Sequence, residues 1–207
     1  MLRVLIVGLV VLVAVLFLLP HPNRGIPAAA KLLDPPQELP IVRFTDTAGR
    51  RFDLDEFRGD YSLVFFGFTN CPDVCPLALK ALADARATLE QRVPNAVPRI
   101  VFVSVDPDRD SPERIADYLR NFDAAFIGAT APAARLRPLL DALGVTVEKH
   151  DHGGGSIMVI HSQAVYFLGP TAKLIAVANG PHDPATLASD YLKIRLRYQA
   201  THAAPAA

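Results

Sequence analysis

Two apolar runs limit what this chain can fold into: "YSLVFFGF", Tyr61 to Phe68, and "RIVFVSVD", Arg99 to Asp106. Continuous runs of this length, rich in aromatic and β-branched residues, suit strands buried on both faces, and such strands need a layer of structure on either side. Helix signals follow each run. After the first, apolar residues at positions 75, 78, 79, 82, 85 and 89 keep a 3.6-residue period until Pro94 stops it. After the second, Ser111-Pro112-Glu113 opens a helix with proline in its first turn, continuing to about Asn121.

The remaining pattern continues the alternation. Phe126 to Gly128 reads as a short strand, and Ala131 to Leu143 as a helix stopped by Gly144. Ile157 to Leu168 and Lys173 to Ala178 alternate around the turn Gly169-Pro170-Thr171-Ala172, which predicts a hairpin, and Pro184 to Tyr198 predicts a closing helix. Upstream, Ile41 to Phe44 and Arg51 to Phe52 flank Asp46-Thr47-Ala48-Gly49 as an N-terminal hairpin. This order predicts an α/β fold, a three-layer sandwich of thioredoxin type.

With 51% apolar residues the chain can build one sizeable core. Basic and acidic residues balance at 21 each, which removes the electrostatic ground for a nucleic-acid partner. The opening segment holds an uncharged apolar run of 16 residues, Val4 to Leu19. That length falls between a signal-peptide core and the roughly 17 to 25 residues that span a bilayer. Ala28 to Ala30 resemble a cleavage site but stand far beyond Leu19, so an uncleaved single-pass membrane anchor is expected over residues 1–20. Arg3 keeps its amino end cytoplasmic. Residues 21–40, rich in proline and alanine, read as an extended tether, 41–198 as the folded domain and 199–207 as a flexible tail. The lack of an arginine- and serine-rich presequence before the run points to a bacterial setting, so the anchor is expected in the inner (cytoplasmic) membrane and the domain in the periplasm.

The only two cysteines lie in "FGFTNCPDVCP", directly after the first buried run. In open α/β sheets the working groups sit beyond the carboxyl ends of central strands. Cys71 and Cys75 are there, four residues apart. On a helix that spacing puts both thiols on one face, where they can share an ion, and it also permits a disulfide. A helix amino end favours thiolate, the form that binds metal. Electron-shuttling thioredoxins usually separate their cysteines by two residues and place a proline loop opposite. Here three residues intervene, Pro72-Asp73-Val74, and no proline occurs between Leu139 and Gly169. That stretch carries His150, His152 and His161 instead. Two thiolates and an imidazole form a soft set suited to Cu(I) and adaptable to Cu(II); zinc, which takes four protein ligands in structural sites and three plus water in catalytic ones, stays possible but has no support from only two cysteines.

"FGFTNCPDVCP", "VFVSVDPDRDSPERIADYLRNF" and "IHSQAVYFLGPTAKLIA" resemble the signature blocks of the SCO/SenC family over about Phe44 to Leu192. The resemblance implies a membrane-anchored, thioredoxin-fold copper chaperone serving the copper-A centre of cytochrome c oxidase subunit II. It implies Cys71 and Cys75 as copper thiolates and His161 as the third ligand. Many members have aspartate directly before that histidine, where this chain has Ile160, which leaves Asp73 as the nearest carboxylate in sequence to orient the ring. His150 and His152 read as solvated, and the charged turn Asp106 to Asp110 as a solvated turn or a structural feature near the site.

Two rival readings stand beside the copper one. In the first, Cys71 and Cys75 form the redox pair of a thiol:disulfide reductase that keeps a client's copper-site cysteines reduced. The second is a peroxidase, and it is the weaker. Peroxiredoxins place threonine or serine three residues before the reactive cysteine, where this chain has Phe68 or Pro72.

Overall fold

The computed structural model describes residues 25–151, 157–160 and 163–202. The first apolar run forms β4 (Ser62–Gly67), with every residue buried, and the second forms β5 (Arg99–Ser104). They pair in parallel, with Phe65 beside Phe102. β6 (Ile127–Thr130) continues the parallel set on the far side of β5. Parallel neighbours need crossovers, which α1 (Val74–Arg92) and α2 (Pro112–Leu119) provide. Ser111 caps α2, its hydroxyl accepting from the Arg114 amide, as the sequence predicts.

On its other side β4 meets β9 (Val165–Leu168), antiparallel, and β9 meets β10 (Leu174–Ala178) across the expected turn. The N-terminal hairpin, β2 (Arg43–Asp46) and β3 (Arg51–Asp53), adds to the β6 edge. With β1 (Ala30–Gln37) on β10, the sheet runs β1-β10-β9-β4-β5-β6-β2-β3.

Side chains of β4 alternate between two helical layers. Tyr61, just before the strand, packs edge-on against Tyr191 and Tyr198 of α4 (Pro184–His202), and Phe65 lies against Phe102, which meets Tyr118 of α2. Val64 and Phe66 face the other way and share an apolar cavity with Leu139 and Leu143 of α3 (Ala133–Leu143). Gly144 ends α3 in the left-handed conformation, the backbone state for which glycine is the natural residue. This is the mixed α/β sandwich the strand and helix order predicts.

Three segments depart from expectation. The proline- and alanine-rich stretch is not a tether throughout: Ala30 to Leu32 pair with Ala176 to Ala178, so β1 is an edge strand of the sheet. Ile157 to Leu168 is not one strand. Its first part, β8 (Ile157–Ile160), pairs with β7 (Glu148–Asp151) in a separate two-stranded ribbon, and only its last part joins the main sheet as β9. The final helix extends past Tyr198 to His202, whose ring stacks on Tyr198 at 4.1 Å, so the expected tail is helical over 199–202. Among the described residues no helix is long and apolar enough to cross a membrane; the run from Val4 to Leu19 lies outside them.

Candidate metal centre

β4 ends at Gly67, and the chain turns through Phe68 to Asp73 before α1 begins. Gly67 is required by crowding. A Cβ there would stand 2.7 Å from Cε2 of Phe102 and 3.1 Å from Sγ of Cys75. The strand end is tied to its neighbour by the Val105 amide, which donates to the Gly67 carbonyl at 2.8 Å. Both cysteines are buried and no disulfide joins them.

α1 lacks an ordinary amino-terminal cap, since Asp73 makes no side-chain capping bond. Sγ of Cys71 takes part of that role, accepting the Cys75 amide at 3.4 Å. One sulfur therefore faces a backbone donor and the positive end of the helix, surroundings that suit an anionic sulfur. The Cys75 thiol is pushed far up from its ordinary value, first by its hydrogen bond with the Cys71 side chain and then by burial. The helix amino end alone therefore does not make Cys75 a thiolate in the metal-free protein, because the hydrogen bond with the Cys71 side chain and burial away from water hold its proton.

The charged turn after β5 is the main support of this loop. The Asp110 carboxylate, buried, accepts from the Thr69 amide at 2.9 Å, the Thr69 hydroxyl at 2.6 Å and the Ser104 hydroxyl at 2.6 Å. Arg114 reaches back from α2 to Oγ1 of Thr69 at 2.8 Å and Oδ1 of Asn70 at 2.5 Å. Arg109 donates to Asp106, itself buried, closing the turn. The structural reading of this turn holds, and Asp110 is the carboxylate beside the thiols; Asp73 is exposed.

His161 and His152 lie outside the described residues. His150 stands in β7, in register with Met158. Downstream of His161, the carbonyl of Gln163 meets Nε2 of His182 at 2.6 Å, fixing the chain where it enters β9. Among the described residues no three metal-ligating side chains converge. The structure thus brings Cys71 and Cys75 together and adds Asp110, Thr69, Ser104, Arg114 and Gly67 around them. Of these additions the sequence offered one signal, the run of carboxylates after an apolar strand.

A soft ion fits two adjacent buried sulfurs at a helix start. The SCO1/SenC family model matches residues 37–195. An SCO2-like protein of Rickettsia prowazekii is 34% identical over 125 residues, 59% of this chain and 60% of that protein. The chain matches 60 to 64% of the length of four such rickettsial relatives. The crystal structure of Arabidopsis thaliana ScoI with copper bound superposes with a TM-score of 0.71 at 26% identity, covering 77% of this chain and 98% of that one. The copper-bound Bradyrhizobium japonicum ScoI gives 0.68 at 25%, over 75% and 98%. By the family model across most of its folded length and by the fold these structures share, the chain belongs to the SCO1/SenC family.

Proposed function

We propose that this protein binds one copper ion through Cys71, Cys75 and His161 and passes it to the copper-A site of cytochrome c oxidase subunit II. The carrying observation is the buried pair of sulfurs at the start of α1, beyond the carboxyl end of a central strand, in a turn whose Thr69 is bonded to the buried Asp110. Copper-bound relatives of the same fold support the choice of ion. Soft thiolates suit a carrier because they bind Cu(I) tightly yet exchange readily with the thiolates of an acceptor. The anchor over residues 1–20 would hold the domain on the periplasmic face of the inner membrane, and fractionation of cells expressing the full chain tests that placement.

The test of copper binding uses the full chain purified with its cysteines reduced. One equivalent of copper is expected, falling to none in Cys71→Ala, while His161→Ala keeps the thiolates and weakens Cu(II) most. Unchanged copper content in Cys71→Ala would remove the proposal.

The proximity of the sulfurs also favours a second reading, a thiol:disulfide reductase acting on the client's cysteines. Metal-free reduction of a client peptide, unaffected by His161→Ala, would favour it, because redox exchange has no use for the imidazole.

A further inference from the structure

The chain enters the folded domain at a fixed point. The buried Asp190 carboxylate on α4 accepts three consecutive backbone amides, those of Ala28, Ala29 and Ala30, at 2.6, 2.7 and 2.9 Å. Each is a charge-assisted bond, and freeing the segment would strand a buried carboxylate, so the clip stays closed in the folded protein.

The strand register tells at which end of the sheet this clip lies. Ala30 pairs with Ala178, Ala178 with Val165 and Val165 with Phe65, one row across β1, β10, β9 and β4. Three steps between neighbouring strands put about 14 Å between the ends of that row. β1 runs opposite to β4, so Ala28, before Ala30, and Gly67, after Phe65, lie beyond the row in the same direction. The clipped entry and the turn that carries Cys71 and Cys75 therefore share one end of the sheet. The row from Gln37 through Leu174 and Leu168 to Ser62 marks the other end.

We propose that the Asp190 clip turns the cysteine-bearing end of the domain toward the bilayer and limits its height above it. The inference rests on the anchor over residues 1–20 in the reading above. Residues 21–27 reach at most about 25 Å at full extension, whereas a free tether over 21–40 would reach about 70 Å. With the row length added, the thiols stay within about 40 Å of the membrane surface in any pose. The partner this fits is a membrane-embedded protein that presents soft acceptor ligands inside that height, and a client free in solution has no use for the restriction.

The test uses the full chain, metal-free and reduced, in lipid nanodiscs with dansyl-labelled headgroups. The chain holds no tryptophan, so Leu77→Trp and Leu196→Trp each supply a single energy-transfer donor. Both positions are exposed: Leu77 stands in the first turn of α1, and Leu196 lies beside Val93 and Pro94, past the other end of that helix. Transfer from Leu77→Trp is expected to be at least about twofold that from Leu196→Trp, since the ends of a six-residue strand stand about 20 Å apart. Adding Asp190→Ala to each should bring the two together, with hydrogen exchange of β4 and β5 showing that the core is intact. Doubling residues 21–27 with a Gly-Ser segment leaves the clip in place and should lower transfer at both positions. Equal transfer in the clipped chain, a difference that survives Asp190→Ala, or transfer unchanged by the insertion overturns the proposal. A chain that does not enter the nanodiscs overturns it together with the anchor reading, while copper content of the same chain reports on the thiol site alone.

Discussion

Asp110 shows how much of the site depends on one side chain. It is 1% exposed, and three donors from two separate segments converge on its carboxylate. Removing the acceptor leaves those donors buried and unpaired, which costs more than the bonds themselves contribute. Asp110→Asn keeps the volume but turns an amide group toward donors, so a loss of about 3 kcal/mol is expected in urea unfolding of the metal-free protein. A loss within about 0.5 kcal/mol, the range of an ordinary surface change, would mean that the loop is held by something else. The cysteine pair was legible in the sequence because its spacing and position carry chemistry by themselves. Asp110 was not. The turn "DPDRD" offers three carboxylates, and only the packed fold turns Asp106 and Asp110 inward while leaving Asp108 in solvent.

Among the elements, β1 is the one that composition misread. Proline and alanine predict a linker on local grounds, yet the segment is captured by a distant residue. The buried Asp190 carboxylate on α4 accepts the amides of Ala28, Ala29 and Ala30 at 2.6, 2.7 and 2.9 Å, across 160 or more residues of chain. A local reading has no access to such a partner. The ribbon of β7 and β8 was missed for a related reason: the alternation from Ile157 to Leu168 is continuous, and nothing in it marks where pairing changes from β7 to the main sheet. The strands buried on both faces were readable, since their uniform apolarity follows from burial itself. Asp190→Ala should release the entry to β1 at a cost of about 2 kcal/mol. In hydrogen exchange, amides of Ala30 to Leu32 should lose protection while those of β4 and β5 keep theirs. Retained protection in β1 would show that pairing with β10 suffices without the clip.

At the scale of the molecule, the two halves of the proposed copper site have different mechanical backgrounds. Cys71 stands in the turn that leaves β4 of the main sheet and Cys75 at the start of α1, whereas His161 directly follows β8, whose pairing is with β7 alone. A two-stranded ribbon is marginal by itself, so an ion gripped from both sides would join it to the core, and removing the ion would undo that gain. A ligand that binds only the folded state at a thousand times its dissociation constant adds about 4 kcal/mol, worth roughly 10 °C in a chain of this size. Copper-loaded protein should therefore melt about that much higher than protein stripped by a Cu(I) chelator. The difference should grow with pH, and its sign follows from Cys75. Its raised pKa means that the unfolded chain gives up this proton before the folded one does, so the metal-free fold loses stability as pH rises through and beyond the ordinary thiol value of 9.0. Below that range copper must displace the proton, so affinity rises by about tenfold per pH unit for each proton released. Melting curves of both forms at several pH values from neutral upward should diverge, and parallel curves would show that Cys75 does not bind the ion as a thiolate.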